Sequence, residues 1–573
     1  MDDTSKMIIY QTFPRLFGNT NASLVRNGNK DENGVGKLSD YSSRMLCRIK
    51  ELGVTHIWYA GVIEHATQTD YTAFGIRLDH SAIVKGKAGS PYAIKDYYDI
   101  DPDLADRIPA RMDEFRSLID RTHEAGLKVI IDFVPNHVAR QYYSDAKLPY
   151  IENLGERDRT DRAFDRNNNF YYIPGQPLAI YADSQREDYA YTEFPAKATG
   201  NNRFDFYPGK DDWYETVKLN YGIDYVQGGQ THFTPRPDAW GKMLDILKFW
   251  ASTGVDGFRC DMAEMVPVEF WEWAIQEVKR EYSLVFIAEI YNPAAYRDYI
   301  NRGGFDYLYD KVGLYDTLRA VIRGEAPASN ITYCWQQAEG IQRRMLNFLE
   351  NHDEQRIASD FFAGDPQAGF PGMIVAATMN VNPVMIYNGQ ELGERGMDDE
   401  GFSGRDGRTT LFDYWSMTSV RRWINGDAPG EDRLTEAQLA LRRSYARLLN
   451  LAKDEPVFAQ GRFYDLTYAN LSNPEFNPHR LYVYLRKYEN EVALVAVNFD
   501  KTARQAGVYI PPEAFAVLGM QENEAAEQLD LFTGEKTVCA LASARLYHTE
   551  VPAYGGRILK FSYRFNKNRR VDL

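Results

Sequence analysis

Short apolar runs punctuate the first two thirds of the chain: Met7–Phe13, His56–Ala60, Val129–Phe133, Val255–Cys260, Val285–Ile290, Phe305–Tyr309, Arg344–Leu349 and Val384–Tyr387. Each is too short for an ordinary helix and lacks the polar alternation of a half-exposed strand, so each predicts a strand buried on both faces of a parallel sheet. Stretches of helical periodicity lie between them, including Leu38–Leu52, Ala110–Ala125, Pro237–Ser252, Pro267–Tyr282 and Gly372–Met379. Gly53, Gly126 and Gly254 fall where such helices must stop, at the left-handed position that favours glycine. Eight strands alternating with helices predict an α/β fold of the TIM, or (β/α)8, barrel type.

Two intervals break the rhythm. Roughly 100 residues between His137 and Pro237, rich in Asn, Asp, Tyr and Gly, exceed any ordinary barrel loop. An inserted lobe is therefore expected at 139–229, dividing a barrel domain made of 1–138 and 230–454. Its aromatic density argues for a folded unit rather than a disordered one. From about 455 onward the period shortens to two, as in Leu481–Arg486, Val492–Phe499 and Arg557–Tyr563. That pattern predicts a C-terminal antiparallel β-sandwich at 455–573.

Candidate chemistry sits at the ends of the apolar runs. Asp132, Asp261, Glu289 and Asp353 each close a strand-like segment, with Arg259 and His352 close by. The carboxyl ends of parallel barrel strands are where such folds build their sites, so these acids are expected to share one mouth. Two carboxyl groups about 5 Å apart across a sugar bond are what a retaining glycosidase needs, one as nucleophile and one as proton donor. A lone strand-end Asp is as readily a helix N-cap. Four such segments in sequence are much harder to explain that way.

Composition narrows the partners. The formal net charge is −15, which disfavours nucleic acid and anionic membrane surfaces but is indifferent to a neutral sugar. The 573 residues and 44% hydrophobic content support two or three cores. Aromatics reach 14%, with 39 Tyr, 30 Phe and 9 Trp; flat rings with a polar tip suit sugar stacking, although most aromatics serve packing. No glycine-rich loop opens a helix to cradle phosphate. No His-x-x-x-His pair marks a zinc site among the nine histidines. Cys47, Cys260, Cys334 and Cys539 show no close pairing, which fits free thiols and a reducing compartment. The opening residues run from Met1 straight into a strand-like segment, so a cytoplasmic location is expected; a periplasmic or secreted protein whose signal peptide has been removed would look the same. No apolar run reaches the roughly 18 residues of a membrane span.

The chain resembles the α-amylase superfamily, glycoside hydrolase family 13. Asp132-Phe-Val-Pro-Asn-His137, Gly257-Phe-Arg259-Cys-Asp261, Ile287-Ala-Glu289 and Asn351-His352-Asp353 are similar to its four short motifs in order, and Ser90–Tyr98 is similar to its tyrosine-bearing segment. The resemblance implies Asp261 as nucleophile, Glu289 as general acid and then base, and Asp353 as the holder of the 2- and 3-hydroxyls. It implies that Arg259 orients Asp261 and keeps it ionised, since a nearby cation lowers a carboxylate pKa by about 1 to 3 units. Glu289 needs the opposite tuning, a raised value supplied by Asp261 and Asp353. His137 and His352 are expected on sugar hydroxyls, and Tyr92 on the apolar face of the ring.

Departures from the family pattern matter as much. Many members hold calcium between barrel and lobe on an Asn, an Asp and a His carbonyl; here Asn136 fits, but Lys218 and Met265 stand at the other two positions. An ammonium there repels a divalent ion, so no metal and no cofactor is expected at that place. The segment with Asn29, Asp31 and Asn33 resembles the family's oxygen-rich calcium loop, but it ends in Lys37. It leaves open a bound calcium or a solvated turn. Glu264 replaces a Lys that contacts the leaving-group sugar in many starch enzymes; it either weakens that subsite or turns to solvent. The segment Asn388–Gly393 is expected to shape the barrel mouth structurally rather than to contact substrate, and Thr410–Trp415 either covers the cleft or packs beneath a long loop, with packing favoured.

Three functions follow: a retaining hydrolase of α-1,4-glucans, a transglycosylase on the same residues, or a non-catalytic carbohydrate-binding scaffold. Joint retention of Asp261, Glu289 and Asp353 argues against the scaffold. The oligomeric state is open.

Overall fold

The computed structural model describes residues 6–180, 190–425 and 432–562. Residues 1–5, which carry the start of the chain, and 563–573, at the end of the expected sandwich, lie outside it. The eight apolar runs all become strands: β1 (Ile8–Thr12), β2 (His56–Tyr59), β3 (Lys128–Phe133), β4 (Gly257–Cys260), β5 (Val285–Ala288), β6 (Tyr307–Tyr309), β7 (Met345–Leu346) and β8 (Val384–Tyr387). They pair in parallel in the order β7-β6-β5-β4-β3-β2-β1-β8. A bridge from Asn347 to Val384 brings the two edges together and closes the barrel.

Helices surround this cylinder at Ser43–Lys50, Arg111–Glu124, Asp238–Ala251, Val268–Lys279 and Phe370–Thr378. Gly53, Gly126 and Gly254 take φ of 92°, 73° and 101° just past three of them, the left-handed stop that their spacing implies. The first helix starts later than Leu38: residues 38–40 form a separate 3-10 turn. The Ser42 hydroxyl then accepts from Met45 N–H and restarts the chain as an α-helix. Strand β7 is shorter than the run Arg344–Leu349, because Gln342–Arg344 form a 3-10 turn before it. Asn347 also diverts its side-chain amide to the Ala376 carbonyl.

Between β3 and β4 the chain leaves the cylinder. His137–Ala139 pairs antiparallel with Thr216–Lys218, and Tyr172–Ile173 with Ala196–Lys197. Ala82, Ile83, Leu178, Ile180, Ala196 and Tyr214 form a small separate core here.

The C-terminal part holds a six-stranded antiparallel sheet, including Leu481–Tyr488, Glu491–Asn498 and Gly555–Ser562, and a two-stranded sheet of Arg504–Ile510 with Arg545–Val551. Strict alternation gives the larger sheet two apolar faces. Leu481, Val483, Leu485, Val492 and Leu494 face the sandwich core, whereas Tyr482, Tyr484, Ala493, Val495 and Val497 join the barrel core. Arg486 seals that junction, donating to the carbonyls of Thr378 (2.6 Å), Phe458 (3.1 Å) and Gly461 (2.7 Å) while fully buried. Replacing it by Leu strands three buried carbonyls. Arg486→Leu is therefore expected to lose about 2–4 kcal/mol, read as a lower thermal midpoint with the barrel-mouth geometry intact.

Candidate active site

The site forms where β3, β4, β5 and the loop after β7 open into one cavity of about 360 Å³. Arg259 is its hub. It lies on β4 directly opposite Asp132 of β3 and is 1% exposed. Its Nη1 donates to Asp261 Oδ1 at 2.7 Å and lies 3.4 Å from Asp132 Oδ1. Its Nε donates to the Tyr309 hydroxyl at 3.1 Å. Its Nη2 is 2.7 Å from Glu289 Oε2, an ion-pair contact too far off axis to be a hydrogen bond. One guanidinium thus bridges Asp261 and Glu289, a nitrogen for each.

Glu289 is further fixed on both oxygens. Met262 N–H donates to Oε2 at 2.8 Å and the Tyr291 hydroxyl to Oε1 at 2.5 Å. The first bond requires Met262 to adopt φ 42°, ψ 44°, a left-handed conformation that a β-carbon disfavours. Asp353 comes from the opposite side. Rather than closing a strand, it lies in the loop well past β7, held where Asn351 Oδ1 accepts from its backbone N–H.

His352 is clamped between rings, stacked on Tyr92 (5.1 Å) and edge-on to Phe13 and Trp58. Gln11 Nε2 lies 2.7 Å from its Nδ1. The Asp353 carboxylate beside the other ring nitrogen favours the ring hydrogen on Nε2. That nitrogen faces the Tyr92 hydroxyl at 2.7 Å and Asp353 Oδ2 at 3.1 Å. His352 therefore spends its hydrogen inside the protein and supports Asp353. His137 lines the cavity beside Trp213.

The electrostatics correct one expectation. Arg259 does pull the Asp261 carboxyl down, but burial outweighs it and Glu289, Asp132 and Asp353 add repulsion, so Asp261 sits well above its ordinary value. Burial and the Glu289 charge push Asp353 up to about 7. Its side chain is 44% exposed where it lines the cavity, so solvent screens part of this effect. Asp132 is pushed by burial to about 6. Asp261, Asp353 and Asp132, crowded around one guanidinium, are all held above their ordinary values and retain protons toward neutrality. Both histidines are pushed down by burial and are neutral, His137 to about 3.

The structure brings together all seven sequence-derived residues: Asp261, Glu289, Asp353, Arg259, Tyr92, His137 and His352. Sequence reasoning missed Tyr291, Trp213, Gln11 and Tyr309. Tyr291 alone carried a signal, two positions past Glu289. Leu411 and Phe412 pack against the core and Phe402 respectively and also form a wall of the cavity. Glu264 contributes no wall: its carboxylate accepts from the N–H groups of Tyr291 (3.2 Å) and Asn292 (3.0 Å). The Asn388–Gly393 segment is buried, with Asn388 donating to Tyr10 and Tyr10 to Glu391.

Neither calcium position offers a matching donor set. Lys218 Nζ donates to both Asn136 Oδ1 and the Met265 carbonyl. In the first loop, Asn29 Oδ1 caps a helical turn by accepting from Glu32 N–H. Asn33 spends its amide on Val25 and Tyr414. Asp31 lies inside that turn.

This constellation on a parallel barrel is that of a carbohydrate-processing enzyme fold. A family model described as the α-amylase catalytic domain matches residues 11–296. The chain belongs to the α-amylase family of glycoside hydrolases. It is 24% identical over 449 residues to an α-amylase of Streptomyces lividans, covering 72% of this chain and 46% of that protein. It is 23% identical to a cyclomaltodextrinase of a Bacillus species, covering 77% and 65%. The chain thus spans about half the length of the first of these relatives. The fold is shared with a maltogenic α-amylase of Thermotoga neapolitana at a TM-score of 0.63, 20% identity and coverage of 97% and 99%.

Asp353 supplies a signed test. Its value is about 7 in the folded chain against an ordinary 3.8. The folded state therefore binds the extra proton between those values, and the stability it contributes is complete below pH 3.8 and lost as pH rises through 7. Asparagine carries no such charge. Asp353→Asn is expected to melt a few degrees above the wild type at pH 8, with the gap closing by pH 4, in a calorimetric pH series.

Proposed function

We propose that the protein cleaves α-1,4-glucosidic bonds with retention of anomeric configuration. The observation that carries this reading is the Arg259 bridge, which holds Asp261 and Glu289 on one cavity wall with Asp353 opposite. In the first step an Asp261 carboxylate oxygen attacks the anomeric carbon while Glu289 gives a proton to the departing glycosidic oxygen. The C–O bond to the leaving sugar breaks as the glycosyl ester forms. Water, deprotonated by Glu289, then attacks the same carbon and frees Asp261.

Arg259 keeps Asp261 aimed and compensates its charge. Asp353, backed by His352, accepts from the 2- and 3-hydroxyls as the ring flattens. Tyr92, Trp213 and Phe412 offer apolar faces, and His137 a polar edge, to the bound glucose unit. Burial holds the Asp261 and Asp353 carboxyls above their ordinary values, Asp353 at about 7.

Relatives named neopullulanase and cyclomaltodextrin glucanotransferase support α-glucans as the substrate class. They also keep transfer to a second sugar as the competing outcome on the same residues. The surrounding loops, not the acids, set that balance. No described helix is long and apolar enough to cross a membrane, and we read the location as cytoplasmic.

Glu289→Gln is expected to lower kcat on maltoheptaose by about 10²–10⁴-fold. Asp261→Asn is expected to lose at least as much, with neither thermal midpoint lowered. Proton NMR of the first product formed by the wild type should show the α-anomer. A β-anomer, or either variant at wild-type rate, contradicts the assignment. Products longer than the starting sugar identify transfer.

A further inference from the structure

We propose that Lys218 serves as a built-in substitute for a bound divalent ion: it docks the lobe on the barrel and, through Asn136, fixes the tautomer of His137 in the cavity. Lys218 lies on the lobe strand Thr216–Lys218, in register with His137, and is 2% exposed. Its Nζ donates to Asn136 Oδ1, just past β3, and at 3.1 Å to the Met265 carbonyl, just past β4. One amine therefore ties the lobe to two barrel loops. Among the described residues no carboxylate forms an ion pair with it, so its partners are the two neutral oxygens. Burial pushes the amine down to about 7, yet both acceptors stay satisfied on either side of that pH. A neutral amine still carries two N–H bonds.

The contact propagates into the cavity. With Oδ1 taken by Lys218, Asn136 must turn Nδ2 the other way. There it donates to the Gly200 carbonyl at 2.9 Å and meets His137 Nδ1 at 3.1 Å. The reversed amide would set two donors against each other at Lys218 and two acceptors at Gly200. His137 Nδ1 is consequently an acceptor, and the ring hydrogen sits on Nε2. The neutral imidazole sits in the cavity wall with the Tyr92 backbone as a further partner. A divalent ion on Asn136 Oδ1 would enforce the same orientation. Lys218 achieves it without a metal, and it is a positioning residue because it touches no substrate.

The test uses the full chain with two variants. Lys218→Met removes the donor, and Lys218→Asp places a carboxylate beside Asn136 Oδ1 and the Met265 carbonyl, an oxygen set suited to calcium. Lys218→Met is expected to lower the thermal midpoint and to raise KM for maltoheptaose about tenfold, the equivalent of one lost hydrogen bond. It should raise KM no further in a His137→Ala background. Imidazole nitrogen shifts should report Nε2–H at His137 in the wild type and mixed tautomers in Lys218→Met. Lys218→Asp should regain midpoint and tautomer in calcium chloride but not in EDTA, by a margin larger than any wild-type difference between those buffers.

A Lys218→Met protein with unchanged midpoint and tautomer overturns the proposal. So does a Lys218→Asp protein indifferent to calcium, or KM effects that multiply in the double variant. If Lys218→Met does not fold, the calcium response of Lys218→Asp still decides. The KM arm rests on the proposed glucan activity, whereas the midpoint and tautomer arms need no substrate. An inactive enzyme with the expected calcium response would sink the former alone.

Discussion

A buried guanidinium surrounded by more acid than it can neutralise is the constraint on which the site depends. Arg259 is removed from water, which is tolerable only if carboxylates converge on it. Asp132, Asp261 and Glu289 do so from three successive strands, and Tyr309 takes the remaining direction. The register of β4 against β3 places Arg259 opposite Asp132. The barrel therefore aims the acids before any substrate arrives. With one cation among several buried acids, Asp132, Asp261 and Asp353 are all held above their ordinary values. The same excess of charge is a standing strain on the fold, consistent with the general conflict between active-site electrostatics and stability.

The barrel was legible because its signal is additive. Eight apolar runs, each ambiguous alone, form one parallel sheet, and glycines at 53, 126 and 254 mark the helix ends. The strand-end acids were legible for the same reason, since chain direction in a parallel barrel sends every carboxyl end to one mouth. What escaped was set by partners distant in sequence. Gln11 reaches His352 across 341 positions, and no local pattern announces that pair. The Asp261 electrostatics were misjudged because proximity to Arg259 is visible in the motif whereas depth of burial is not. Thr410–Trp415 was read as packing because its ring spacing does not say which side chains reach the cavity; Tyr414 and Trp415 are buried, whereas Leu411, packed on the core, and Phe412, packed on Phe402, also line the cavity.

The Lys218 contact shows how a single substitution is read differently at the two levels. In the sequence a lysine at a ligand position only subtracts a metal. In the fold it adds a two-pronged tether whose acceptors are the oxygens a metal would have used. On the proposed reading, a covalently attached donor has no dissociation equilibrium and needs no ion in solution.

Specificity lies in a different layer from catalysis. Asp261, Glu289 and Arg259 stand on strand ends that the hydrogen-bonded sheet holds rigidly. The cavity walls come instead from the loop carrying Lys85 and Tyr92, the lobe residues Trp213 and Glu215, and the segment with Leu411 and Phe412. Lys85 and Glu215 pair across the first two of these at 3.0 Å, both largely shielded from solvent, so the lobe and the β2 loop cannot shift independently. The chemistry is thus fixed by the barrel, while the shape offered to a second sugar depends on how these non-barrel segments lock together. A family that varies those segments can keep one arrangement of acids and change what the cavity accepts.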